Sequence, residues 1–313
     1  MTHVPQAEFT LADSDVWDAE AGLDQSNQLT YPLVGWGETL WNSYDPETNV
    51  EFICENLEGW AGLPAGDPSS VNREFDYGSF SGRGWYGPRL LTLTGVLLAR
   101  NRDDLQRALH KVRATHWRTL METAVLAVAE VDGEKRLGVR TTTSTMNASY
   151  LTPTCLRVEV ELQAAWPIKR GLPQTGITDV PGGAVGRHYP RPTADNGFRL
   201  YGPLGSSGNL VLTNVGNAPV RPQFEITGPV VNPSIWHAQQ NRHLGLVIEL
   251  GEQDRLWLDA DTHAIVLNGV ANRRSVLATD SAWFDLTPGL NTIQYRPSSG
   301  EGTLQVFFNA GWW

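Results

Sequence analysis

The chain has 313 residues, 24 Lys and Arg against 34 Asp and Glu for a formal charge of −10, and 41% hydrophobic with 19% charged residues, the balance of a globular protein and not of a disordered one. The acidic excess disfavours nucleic acid as a partner, because affinity for it comes mainly from Lys and Arg neutralising phosphates. No apolar stretch approaches the ~18 residues that a membrane helix requires, and the opening MTHVPQAEFTLADSDVWDAE is acidic where a signal peptide would be basic and then apolar, so neither membrane insertion nor secretion is expected.

The first 85 residues hold Trp17, Trp36, Trp41, Trp60 and Trp85 among many turn formers. Long loops pinned by aromatic rings, as well as strands, are expected there. Gly82, Gly84 and Gly87 make a Gly-x-Gly-x-x-Gly pattern, but Pro88 and the strand-like RLLTLTGVLL follow it, whereas a dinucleotide site needs a helix N-terminus at that point. A flexible turn is the better reading. From Asn101, Leu105, Ala108, Leu109, Val112 and His116 recur at helical spacing, with Asn101 as N-cap and Asp103 and Asp104 in the first turn. This predicts one amphipathic helix of about three to five turns, with an Asp103–Arg107 pair, lying against a sheet.

Beyond the helix, strand signals dominate. Asp132-Gly133 marks a hairpin, and LRVEVEL from Leu156 puts Leu156, Val158, Val160 and Leu162 on one face and Arg157, Glu159 and Glu161 on the other, the period-two signature of a half-buried strand. Glycine and proline interrupt every periodic run from about 169 to 207, which reads as a linker. After it, Leu246, Ile248 and Leu250 and then Leu304, Val306 and Phe308 alternate again, with Asn268-Gly269 suited to a type I′ hairpin and Pro288-Gly289 to a type II turn. The organisation predicted is a β domain with one helix over residues 1–168, a Gly/Pro-rich linker over 169–207 and an all-β domain over 208–313. Short strands joined by such turns build sandwiches or barrels.

Catalytic chemistry was not legible. Cys54 and Cys155 stand a hundred positions apart with no second ligand beside either, and read as buried thiols. The seven His residues have no metal spacing. GSFSG at Gly78 puts Phe80 where a nucleophile elbow would need Ser, and GSSG at Gly205 is one residue short. No catalytic, cofactor-binding or metal-binding residue is therefore named, and no enzyme is expected. The 12 Trp residues are the remaining excess. Most should be core, but Leu256 and Leu258 flank Trp257, which alternation turns to the opposite face, and Trp312 and Trp313 end the chain after LQVFFNAG. Trp257, Trp312 and Trp313 are the candidate docking residues.

The order of NVGNAPVRPQFEITGPVVNPSIWH from Asn214, LGLVIELGEQDRLWLDADTHAIVLNGV, WFDLTPGLNTIQY from Trp283 and the closing QVFFNAGWW resembles the distal tail protein family of siphoviruses. The first domain is similar to it as well, in Arg89 with LLTLTGVLLA, the helix from Asn101, and LRVEVELQAAWP ending at Pro167. The resemblance implies a tail-tube-like β-sandwich with one helix that forms a ring, usually a hexamer, followed by a galectin-like β-sandwich. It further implies a structural virion protein at the distal tail tip, assembled in the host cytoplasm, that joins the tail tube protein to the tail-tip or baseplate protein and serves as hub for adsorption proteins. The sugar-binding His, Asn and Arg cluster of galectins cannot be placed here, so glycan binding is not expected. A carbohydrate-binding module remains the alternative, on aromatic content.

Overall fold

The computed structural model describes residues 32–67, 69–142, 146–181 and 206–313, so Trp17 and most of the expected linker lie outside the described residues. The chain divides into two compact units, residues 1–171 together with Trp313, and residues 172–312. Both are mainly β, and among the described residues no helix is long and apolar enough to cross a membrane.

In the first unit, one antiparallel sheet runs in the order Asn147–Thr152, Cys155–Ala164, Arg89–Ala99, Val50–Glu58, Ser43–Asp45. A second runs Thr39–Trp41, Val34–Trp36, Ala124–Glu130, Gly133–Thr141, and its last strand reaches the first sheet through Arg140 opposite Gln163 and Thr141 opposite Leu162. Alternation explains the burial: Leu156, Val158, Val160 and Leu162 are at most 1% exposed, while Arg157, Glu159 and Glu161 face solvent. Gly95 has a specific task. A Cβ there would lie 2.2 Å from the fully buried Trp41 ring, so the absent side chain lets that ring cross the strand.

The helix spans Arg102–Met121, a little longer than predicted, and Asn101 caps it by accepting from the Asp104 N–H at 2.9 Å. Its buried stripe of Leu105, Ala108, Leu109 and Val112 joins one core with residues of both sheets. His116 ends the stripe, buried, with no partner on Nε2 among the described residues. The expected Asp103–Arg107 pair is replaced by Asp104–Arg107. Asp104 is already fixed by the amides of Asn49 at 2.8 Å and Asn101 at 2.7 Å, which makes it the better-placed anion.

Three local expectations need correcting. Residues Lys169–Asp179, expected as linker, form a strand in which Arg170 pairs with Arg136; β pairing there overrides the poor local propensity. The hairpin before Gly133 pairs Glu130 with Gly133, so its loop is Val131-Asp132 and Gly133 takes the positive φ. Cys54 is buried, and burial pushes its thiol up to about 11, but Cys155 is only half-buried at the start of its strand.

The second unit stacks a sheet ordered Ala271–Asn272, Ala264–Leu267, Arg255–Asp259, Gln223–Thr227, Thr303–Trp312 and another ordered Asn209–Asn214, Gly289–Tyr295, Ser234–His237, Arg242–Gly245. Phe224, Ile226, Leu256, Leu258, Leu304 and Val306 of the first meet Ile235, Leu244, Ile293 and Tyr295 of the second in one core. Asn268 and Gly269 both have positive φ, and the Val270 N–H closes the turn on Leu267 O at 3.2 Å, as a type I′ turn requires. A buried polar set pins one end: His237 bonds Asn291 Oδ1 at 2.9 Å, and the Asn291 amide donates to Thr287 O and Gly289 O.

Candidate interaction surfaces

Between Gly59 and Pro88 the first unit extends a ribbon. Its two ladders are nested, with Gly66 and Asp67 opposite Tyr86 and Trp85, and Ser70, Val71 and Asn72 opposite Ser81, Phe80 and Ser79. The tip closes through the Arg73 N–H on Gly78 O at 3.1 Å, and the Arg73 guanidinium lies 4.8 Å over the Phe80 ring. Among the described residues, each strand of the ribbon has its pair as its sole neighbour in a sheet. The consequence is exposure: Phe75 and Tyr77 are each 97% exposed, and Val71, Phe80 and Trp85 more than 60%. A two-stranded ribbon is marginal in water by itself, and a run of exposed aromatic rings marks a protein contact surface. The sequence reading missed this arm. Its available signal was the density of aromatic residues in VNREFDYGSFSGRGWYG without a period of two or 3.6.

The root of the arm is built differently. Arg89, 1% exposed, donates from Nε to Pro167 O at 3.0 Å, and from Nη1 to Gly59 O at 2.8 Å, Trp60 O at 3.2 Å and Gly62 O. Trp60 is buried beside it, with its indole N–H on Glu130 at 2.6 Å. Lys169 donates to Trp60 O at 3.2 Å and sits 5.1 Å over the same ring; burial pushes its ammonium below the usual lysine range, with Arg89 and Lys135 adding to the effect. Burial also acts on Lys135, but its bonds to Asp132 and Glu130 outweigh it and hold that ammonium above the ordinary value.

The strand Asn147–Thr152 is a second surface. Among the described residues it forms the edge of its sheet, every residue in it is exposed, and NASYLT holds no charge and no proline. Natural edges are usually blunted by such residues, and this one is open to pairing.

Of the candidate docking residues, Trp257 lies partly exposed between the buried Leu256 and Leu258, its ring 5.3 Å from Phe307 on the outward face of the sheet. Trp312 is partly buried at the end of its strand. Trp313 groups with the first unit, its ring tilted 4.7 Å from Tyr86. Among the described residues no cluster of His, Cys, Asp or Glu could hold a metal ion. Gly82, Gly84 and Gly87 fall on the returning side of the arm and lead into the strand Arg89–Ala99, the wrong element for a pyrophosphate.

Residues 215–312 match the family described as siphovirus-type tail component, C-terminal domain. The whole fold is similar to the crystal structure of SPP1 Dit (gp 19.1), described as a paradigm of the hub adsorption apparatus in Gram-positive infecting phages, with 12% identity, TM-score 0.61, and coverage of 89% of this chain and 98% of that one. Chains in the phage P2 baseplate in its activated conformation, with Ca and with Sr, match at 9% and 8% identity with TM-scores of 0.45 and 0.46, each over 88% of this chain and 97% of the other. No curated protein matches the sequence significantly. At these identities the structural likeness concerns the fold, and the tail-component domain is the sequence-level finding.

Proposed function

We propose that the chain is a structural component of a siphovirus-type tail: a ring at its distal end that joins the tail tube to the tail tip or baseplate and carries adsorption proteins. The tail-component match over 215–312 carries this reading, and the likeness to the SPP1 hub protein over nearly that protein's full length supports it. The first unit supplies what a ring needs, namely an aromatic arm and an open, uncharged sheet edge on one body. Two unlike surfaces make a head-to-tail contact, and such contacts close into a ring when the rotation allows it. Six copies is the number the family resemblance implies. The role is non-catalytic. The carbohydrate alternative would need open aromatic faces on the second unit, but there Trp236 lies stacked on His243 at 4.1 Å and Trp257 lies tilted against Phe307.

The test is to express residues 1–171 and 172–313 separately and measure their masses by light scattering. The first fragment should give closed oligomers, and the second a monomer with a β circular-dichroism spectrum. A monomeric first fragment beside an oligomeric second would overturn this architecture.

A further inference from the structure

The arm is a lever. From Ala65 to Asp76 its outgoing side has a reach of up to ~35 Å at ~3.3 Å per residue, so a rotation of about 20° at the root would carry the tip roughly 10 Å, enough to move the rings of Phe75 and Tyr77 off their contacts. A ribbon meant to meet a neighbour in one register therefore needs a rigid base. Its own chemistry does not provide one, because the outgoing chain starts at Gly59, whose φ is +81°, and few side chains between there and Pro88 are buried.

Arg89 supplies the base. It is the first residue after the arm returns, and its Nη1 holds carbonyls of Gly59, Trp60 and Gly62 on the outgoing side while Nε holds Pro167 O at the end of a different strand. Entry, exit and the domain body are thereby tied through one planar group. Lys169 holds Trp60 O as well and covers the Trp60 ring, whose indole N–H is in turn fixed on Glu130. Among the described residues the buried Nη2 of Arg89 has no partner, so the group is not placed for maximal satisfaction. Its fork is oriented by the root carbonyls.

We propose that Arg89 is a positioning residue for assembly: with Lys169 it fixes the direction in which the arm leaves the first unit, so that the aromatic ribbon is presented to the next copy in a single orientation. This rests on the reading that the arm is the contact between copies. Lysine cannot replace the guanidinium here, because one ammonium centre cannot bridge Pro167 O and the three root carbonyls as a planar fork does.

The experiment uses the full-length chain. Arg89→Lys should raise amide exchange at Gly59–Leu63 and the concentration for half-assembly each by about tenfold, the scale of a lost charged hydrogen bond, with exchange in Cys155–Ala164 unchanged. Lys169→Met removes the second hold on Trp60 O and should move both readouts the same way by less; it carries the test if Arg89→Lys does not fold. Wild-type assembly with unchanged root exchange would overturn the proposal, as would equal loss of protection at the root and in Cys155–Ala164, which marks a purely structural role. Phe80→Ser with Trp85→Ser separates the two readings. If that variant assembles normally the arm contact itself is wrong, whereas if it fails while Arg89→Lys assembles like wild type, only the positioning role falls.

Discussion

Two stretches meet at Arg89 and treat their apolar residues in opposite ways. The strand Arg89–Ala99 has Cys155–Ala164 on one side and Val50–Glu58 on the other, and Leu91, Leu93 and Leu97 are at most 2% exposed beneath the helix. The arm just before it has, among the described residues, strand pairing only within itself and leaves Phe75, Tyr77, Phe80 and Trp85 in solvent. Side chains of similar hydrophobicity thus serve cohesion in one stretch and contact in the other. What decides is whether a second layer exists, because apolar area contributes to stability only when something removes it from water.

The comparison breaks most visibly in the core. Leu109→Asp puts an unpaired charge where Leu109 is 3% exposed, at a cost of several kcal/mol, and soluble protein should be lost; wild-type stability would mean that the helix does not cover the sheet. In the arm, Phe80→Ser with Trp85→Ser should leave thermal unfolding within about 0.5 kcal/mol of wild type and abolish assembly in light scattering, the reverse pattern. Removing the helix cap with Asn101→Ala should cost about 1 kcal/mol in denaturant unfolding, with assembly intact.

The smallest effect concerns acid. Burial holds the His116 imidazole below its ordinary 6.5, so below that pH the unfolded chain takes up a proton more readily than the folded one and stability falls. His116→Gln should flatten the decline of the unfolding midpoint between pH 6.5 and 5, and an unchanged slope would show that His116 does not set it.

Legibility followed the same division. The strand from Leu156, the helix with its Asn101 cap and the Asn268-Gly269 turn could be read because each is settled by neighbours a few residues away and by one buried face. The outward turn of Trp257 was readable for the same reason. Lys169–Asp179 was misread, because its glycines and proline argue against a strand and only partners distant in sequence make it one. The arm could not be found by periodicity at all. Both of its faces are exposed, so no alternation between apolar and polar residues was imposed on it, and the Arg89 clamp depends on backbone carbonyls that no side-chain pattern records.

Amide hydrogen exchange of the full-length chain at two concentrations, one assembled and one dilute, tests most directly whether another copy covers the arm. The account predicts that residues 66–86 are protected when assembled and exchange freely on dilution, while Cys155–Ala164 stays protected in both. Equal exchange of the arm at the two concentrations, in a chain whose mass still changes on dilution, would contradict it.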